Sequence, residues 1–129
     1  MEFQVNTASR LPIYQQLAHQ IREAIARGDL QPEARLPSVR QLSRDMVVNP
    51  NTIARAYTEL EREGLLVSRA GLGMFVAHPK NDLTKGARDR RLGELLDRWL
   101  TEAVHLGFSA EEVVRLVSRR VEQFQWKGA

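Results

Sequence analysis

At 129 residues, with 43% hydrophobic and 27% charged residues and a formal net charge of +3, the chain has the composition of a folded globular domain with room for a small accessory element. It contains no cysteine, which excludes disulfides, thiolate zinc sites and cysteine nucleophiles together. No apolar run approaches the ~18 residues needed to span a bilayer, and Met1-Glu2-Phe3 opens on an acid rather than a basic signal start, so the expectation is a cytoplasmic protein with no membrane partner.

Pro12 opens a segment in which Tyr14, Leu17, Ala18, Ile21, Ala24 and Ile25 recur at helical spacing, and Gly28-Asp29 ends it, predicting a first amphipathic helix. After a loop, Leu36-Pro37-Ser38 leads into a short second helix, with Ser38 and Gln41 as a capping box and Val39, Leu42 and Met46 facing inward. A tight turn follows. Asn49-Pro50 then pairs a favoured N-cap with a favoured first helical residue, Ile53, Ala56, Tyr57 and Leu60 mark the inner face of a third helix, and Gly64 closes it. Leu65-Leu66-Val67 and Met74-Phe75-Val76 read as two short strands joined by a tip containing Gly71 and Gly73. Helix, short helix, turn, helix and hairpin in this order predict a winged helix-turn-helix over residues 1–78, within a mainly α fold whose small β-hairpin is the wing.

Residues 79–91 turn polar and rich in breakers, with Pro79-Lys80-Asn81-Asp82, Gly86 and Arg88-Asp89-Arg90-Arg91, and read as a linker. Beyond it Leu92, Leu95, Leu96, Trp99, Leu100, Ala103, Val104 and Leu106 form a helical stripe that Gly107 ends. Ser109 and Glu112 make a second capping box, with Phe108 and Val113 as its hydrophobic staple, and the last helix carries Val114, Val117, Val121 and Phe124. A hairpin of two such helices over residues 92–129 presents more apolar surface than it can bury internally. The expected outlet is pairing with a second copy of the chain through Leu92, Leu95, Leu96, Trp99, Leu100, Ala103, Leu106, Val117, Val121 and Phe124, giving a homodimer. The alternative is that the hairpin folds back onto its own winged domain as core.

In a helix-turn-helix the second helix of the pair enters the major groove with its N-terminal side chains at base edges. Asn51, Thr52 and Arg55 lie opposite the inner face of that helix and are of the types that read adenine, thymine and guanine edges. Arg40 and Arg44, four apart on the outer side of the preceding helix, are expected on phosphates, with Ser38 and Asn49 at the two helix starts. Arg35 either assists them or is an ordinary surface residue. At the wing, Arg69, Gly71 and Gly73 are candidates for a minor-groove contact. Bulk charge does not make this case, since residues 1–78 hold nine basic residues against eight acids; all nine are arginine, the residue that grips phosphate and guanine bidentately. Gly71-Leu72-Gly73 lies between strands and so is not a nucleotide-binding loop, which needs a helix after it. His19, His78 and His105 are scattered, and no triad or close carboxylate pair is evident, so no metal, no cofactor and no enzymatic activity are expected.

Pro12-Ile13-Tyr14-Gln15-Gln16, Leu36-Pro37-Ser38-Val39-Arg40-Gln41-Leu42, Val48-Asn49-Pro50-Asn51-Thr52-Ile53-Ala54-Arg55-Ala56-Tyr57 and Glu59-Leu60-Glu61-Arg62-Glu63-Gly64 together resemble the GntR family of bacterial regulators, and most closely its short YtrA-like subfamily. The resemblance implies a homodimer on a palindromic double-stranded DNA operator, with Arg40, Asn51, Thr52, Arg55 and the wing glycines at the DNA. It also implies repression of a small operon, often one encoding an ABC transporter and the regulator itself. The chain departs from the family pattern in three places. Met46-Val47-Val48 occupies a turn that usually carries glycine, and because valine is costly at positive φ another turn conformation is expected. Glu33 stands where a loop glycine is usual, and Ala70, Leu72 and Met74 replace smaller or more polar wing residues. Two competing readings are a winged-helix protein-interaction module and a regulator that senses an unknown small-molecule effector between its C-terminal helices and DNA-binding domain.

Overall fold

The computed structural model describes residues 2–127. In chain order the elements are α1 (Ile13–Arg27), α2 (Val39–Met46), α3 (Pro50–Arg62), β1 (Leu66–Arg69), β2 (Gly73–Val76), α4 (Lys85–His105) and α5 (Ala110–Val121). The chain divides into two units between Lys80 and Asn81.

The first unit is built around the inner faces read from the sequence. Leu17, Ala18 and Ile21 of α1, Leu42 of α2 and Ile53, Ala56, Tyr57 and Leu60 of α3 form one buried cluster, closed by Leu36, Leu66 and Val76. Burying each large aliphatic side chain there contributes about 1.5–3 kcal/mol, which makes this cluster the main source of the unit's stability. Gly28 ends α1 in the left-handed region at φ 85°, and Arg22 of α1 donates through Nε and Nη2 to both carboxylate oxygens of Glu63, at 3.1 and 2.7 Å, tying α1 to the end of α3. Residues before α1, for which the sequence offered no pattern, are held by side-chain amides of that helix. Gln16 Oε1 accepts from the Asn6 N–H at 2.8 Å while its Nε2 donates to the Asn6 and Leu11 carbonyls, and Gln20 pairs with the backbone of Gln4 in the same way.

The hairpin is antiparallel, in the register Leu66↔Val76, Val67↔Phe75, Ser68↔Met74 and Arg69↔Gly73. On its other edge β2 takes a single bridge between Phe75 and Arg35, flanked by bonds from Leu36 N–H to the Met74 carbonyl and from Val76 N–H to the Ala34 carbonyl, both 2.8 Å. The loop ahead of α2 therefore anchors the wing from the side opposite β1.

Two local readings need correction. The start of α2 is half a capping box: Ser38 Oγ accepts from the Gln41 N–H at 3.0 Å, but the Gln41 side chain donates at 2.9 Å to the Asp45 carboxylate one turn on instead of returning to Ser38. The Gln41 amide nitrogen donates to Asp45 Oδ1, and an amide turned that way does not bring its oxygen back to accept from the Ser38 N–H. The turn after α2 does not avoid the left-handed region; Val47 adopts φ 54° and ψ 52°. Its N–H reaches the Arg44 carbonyl at 3.4 Å and the Val48 N–H reaches that of Ser43 at 3.1 Å, the paired bonds of a Schellman ending. Val48 packs against the core and Ser43 Oγ donates to its carbonyl, so anchoring on both sides overrides the steric preference of Val47.

In the second unit α4 begins at Lys85, capped by Thr84 Oγ1, which accepts from the Ala87 N–H at 3.1 Å. Residues 85–91, read as linker, are thus helical; Gly86 falls in the first turn, and the mixed charges at 88–91 suit an exposed helical face. The Ser109–Glu112 capping box has both its bonds, at 3.2 and 2.9 Å. The N–H bond of Ser109, then its hydroxyl, holds the Glu112 carboxyl below its ordinary pKa. No helix among the described residues is long and apolar enough to cross a membrane.

Candidate nucleic-acid interface

The start of α3 is set by its cap. Asn49 Oδ1 accepts the Asn51 N–H at 2.8 Å and Pro50 occupies the first turn. With Ile53, Ala56, Tyr57 and Leu60 buried, helical periodicity turns Asn51 and Arg55 to solvent and leaves Thr52 half-buried. Tyr57 fixes α3 against α2: its hydroxyl donates to the Pro37 carbonyl at 2.7 Å, and burial raises the phenol's pKa well above the ordinary value, keeping it a neutral donor. One residue beyond that carbonyl, Ser38 starts α2 and points Arg40 and Arg44 outward. Neither arginine side chain has a hydrogen bond or ion pair among the described residues.

Arg55 is positioned differently. Its guanidinium carbon lies 3.8 Å from the centroid of the Tyr14 ring, at the start of α1. A guanidinium stacked by its face keeps its in-plane N–H groups free to donate.

At the wing, Gly71 and Gly73 have φ 74° and 113°. The Arg35 side chain lies against Gly73, where a Cβ would meet its Nε at 3.3 Å. Arg69 is engaged within the fold: its Nη2 donates to Glu33 Oε2 at 2.6 Å and its guanidinium sits 4.6 Å from the Phe75 ring centroid. Glu33 Oε1 lies 2.9 Å from His78 Nε2. The Arg69 hydrogen bond, with the charges of Arg69 and His78, holds the Glu33 carboxyl below its ordinary pKa against a smaller opposing effect of desolvation.

The profile of the family described as bacterial regulatory proteins, gntR family, matches residues 13–76. An uncharacterized HTH-type transcriptional regulator of Bacillus subtilis, YhcF, is 39% identical over 82% of this chain and 87% of its own length. The chain belongs to the GntR family. The HTH-type transcriptional repressor YtrA of the same organism is 34% identical over 85% of each chain, which places this GntR regulator with the YtrA-like members. Among solved structures, a transcriptional antiterminator from Listeria monocytogenes matches 100% of this chain and 97% of its own at a TM-score of 0.80 and 30% identity. The DNA-binding domain of AraR in complex with its operator ORX1 matches 60% of this chain and 96% of its own, at a TM-score of 0.54 and 31% identity. This GntR regulator is therefore a DNA-binding transcription regulator of winged helix-turn-helix fold.

Within this GntR chain, α2 and the start of α3 present Arg40, Arg44, Asn51, Thr52 and Arg55, while Ser38 and Asn49 have their side-chain oxygens engaged as caps. The Arg35 side chain lies against Gly73, and Arg69 is paired with Glu33 at the wing. Sequence reasoning missed Tyr14 as the platform for Arg55, having assigned it only to the inner face of α1, and saw Glu33 only as a departure from a glycine. Two of the three histidines have polar side-chain partners, His19 beside Arg22 and His78 beside Glu33. Among the described residues no group of three His, Asp or Glu side chains is arranged to hold a metal.

Proposed function

We propose that this GntR regulator is a cytoplasmic, non-enzymatic repressor that acts as a homodimer on a two-fold-symmetric DNA operator, with residues 1–78 binding DNA and residues 92–129 joining the two copies. The observation that carries the dimer is burial. In a 21-residue α4 only Ala103 is buried, and α5 buries none of its residues. Leu92 remains 69% exposed, Leu96 48%, Trp99 40% and Leu100 37%, with Leu95, Leu106, Val117 and Val121 also exposed and Phe124 half-buried. A contiguous apolar face of this kind marks an interaction site, and a second copy is the partner that matches it on every molecule.

Asn51, Thr52 and Arg55 read base edges, and Arg40 and Arg44 grip phosphates from the adjoining helix, with Arg35 and the glycine tip of the wing beside them. Two copies place their α3 helices in successive major grooves, about 34 Å apart, so operator symmetry follows from protein symmetry. The name of YtrA as a repressor supports repression as the outcome. The test is sedimentation of the full chain, followed by selection of bound duplexes from a random pool. A dimer at micromolar concentration that the pair Leu96→Glu and Leu100→Glu converts to a folded monomer, together with selected inverted repeats, is the expected result. A monomeric wild type, or selected sites with no symmetry, overturns the proposal.

A further inference from the structure

We infer that Tyr14 is a positioning residue for DNA recognition: its ring holds the Arg55 guanidinium in the orientation in which Arg55 meets a base edge. The inference rests on the proposed role of Arg55 at the DNA. Arginine is among the most rotamer-rich side chains, and a free one on a helix surface must be immobilised when it binds. Arg55 is exposed, yet its guanidinium carbon is 3.8 Å from the Tyr14 centroid. At that distance the cation lies over the ring face, where the quadrupole attracts it.

The platform itself is firmly held. Tyr14 is in the first turn of α1, where the Gln15 and Gln16 N–H groups reach the Pro12 carbonyl at 3.0 and 3.1 Å. Its ring is half-buried and packs against the core, and its hydroxyl accepts from Gln15 Nε2 at 3.0 Å. Face stacking uses none of the N–H groups of Arg55, and no other residue takes them, since Arg55 has no hydrogen bond or ion pair among the described residues. A side chain packed by its face and open along its edge suits bidentate recognition of guanine. A surface arginine serving only to join α1 to α3 would gain from an acid at its edge, as Arg22 does with Glu63.

The test measures affinity and base preference of the full-length protein on duplexes selected from a random pool, for Tyr14→Phe, Tyr14→Leu, Arg55→Ala and the double variant that combines Tyr14→Leu with Arg55→Ala. Tyr14→Phe keeps the ring face and is expected to bind as wild type. Tyr14→Leu keeps apolar bulk and removes the π face; it is expected to weaken binding about 3- to 10-fold, the scale set by immobilising one flexible side chain. It should relax preference at the same base position as Arg55→Ala, and should have no further effect once Arg55 is replaced. If Arg55→Ala weakens binding while Tyr14→Leu does not, or if Tyr14→Leu weakens binding equally in the Arg55→Ala background, the positioning role is overturned and the role of Arg55 stands. If Arg55→Ala itself changes neither affinity nor preference, the role of Arg55 at the DNA falls, and this inference with it. A readout independent of folding of the Tyr14 variants is the NMR shift of the Arg55 Nε–H in the wild type. An upfield ring-current displacement is expected, and an unshifted resonance counts against the stack in solution.

Discussion

Replacing Val47 by glycine should stabilise the first unit, although it removes a hydrophobic side chain. At φ 54° and ψ 52° an L-residue brings its Cβ against the backbone at a cost of about 1–2 kcal/mol, and β-branching does not relieve it. Glycine removes that cost but adds about 0.5–1 kcal/mol of chain entropy to the unfolded state. The valine side chain is 90% exposed, so its remaining burial is worth only a few tenths of a kcal/mol on a scale of about 1.5–3 kcal/mol for complete burial. The balance is a gain of about 0.5 kcal/mol, or a rise in Tm of about 2–4 °C for a unit of this size. Near-UV circular dichroism can follow that unit within the full chain, because both tyrosines, Tyr14 and Tyr57, lie before Lys80 and both tryptophans, Trp99 and Trp126, lie after it. Val47→Gly should raise the urea midpoint of the tyrosine signal with an unchanged m-value, and Val47→Ala, which keeps a Cβ, should not. A midpoint that falls with glycine, or rises equally with alanine, refutes the strain argument.

Gly73→Ala should destabilise the same unit by about 1–3 kcal/mol, because φ 113° strains any L-residue and the new Cβ would press on Arg35 Nε at 3.3 Å; thermal unfolding measures it. Tyr57→Phe should cost about 1–3 kcal/mol in urea unfolding by leaving the Pro37 carbonyl without its 2.7 Å donor. Glu33→Gln tests the wing latch through pH. The folded pKa of Glu33 lies below 4.5, so its contribution is lost as pH falls through the lowered value; the stability difference between wild type and variant should shrink below about pH 4.5. Arg40→Ala should lower the salt slope of binding to random duplex by about 1, as loss of one phosphate contact does, and an unchanged slope removes Arg40 from the phosphate set.

What could be read from the sequence was what periodicity encodes. The inner faces of α1, α2 and α3 were legible because Leu17 with Ile21, Leu42 with Met46, and Ile53 with Tyr57 and Leu60 repeat at helical spacing, and burial follows spacing whatever the distant partner. Caps were legible where both members are local, as at Ser109 and Glu112. Periodicity failed where local signals competed. Gly86 and the charges at 88–91 resemble a loop, yet Thr84 caps a helix over them and the charges need no core. Gln41 could return to Ser38 or bond forward to Asp45, and residue types alone do not rank the two.

The candidate site divides along the same line, and the division bears on how it works. Which side chains point outward from α2 and α3 follows from periodicity; which of them are held, and by what, depends on residues distant in sequence. Arg69 and Glu33 are 36 positions apart, and their 2.6 Å pair braces the wing. A solvent-exposed pair of this kind is weak and screened by salt, so the brace leaves Arg69 able to exchange its carboxylate partner for a phosphate. Arg40 and Arg44 carry no such competitor, whereas Arg55 is held by a ring face that leaves its donors open. Three ways of presenting arginine on one unit thus separate by what must be broken on binding: nothing at Arg40 and Arg44, an ion pair at Arg69, and neither a bond nor a free rotamer at Arg55. Sequence discrimination is expected to concentrate at Arg55, because only there is the donor both ordered beforehand and free of a competing acceptor.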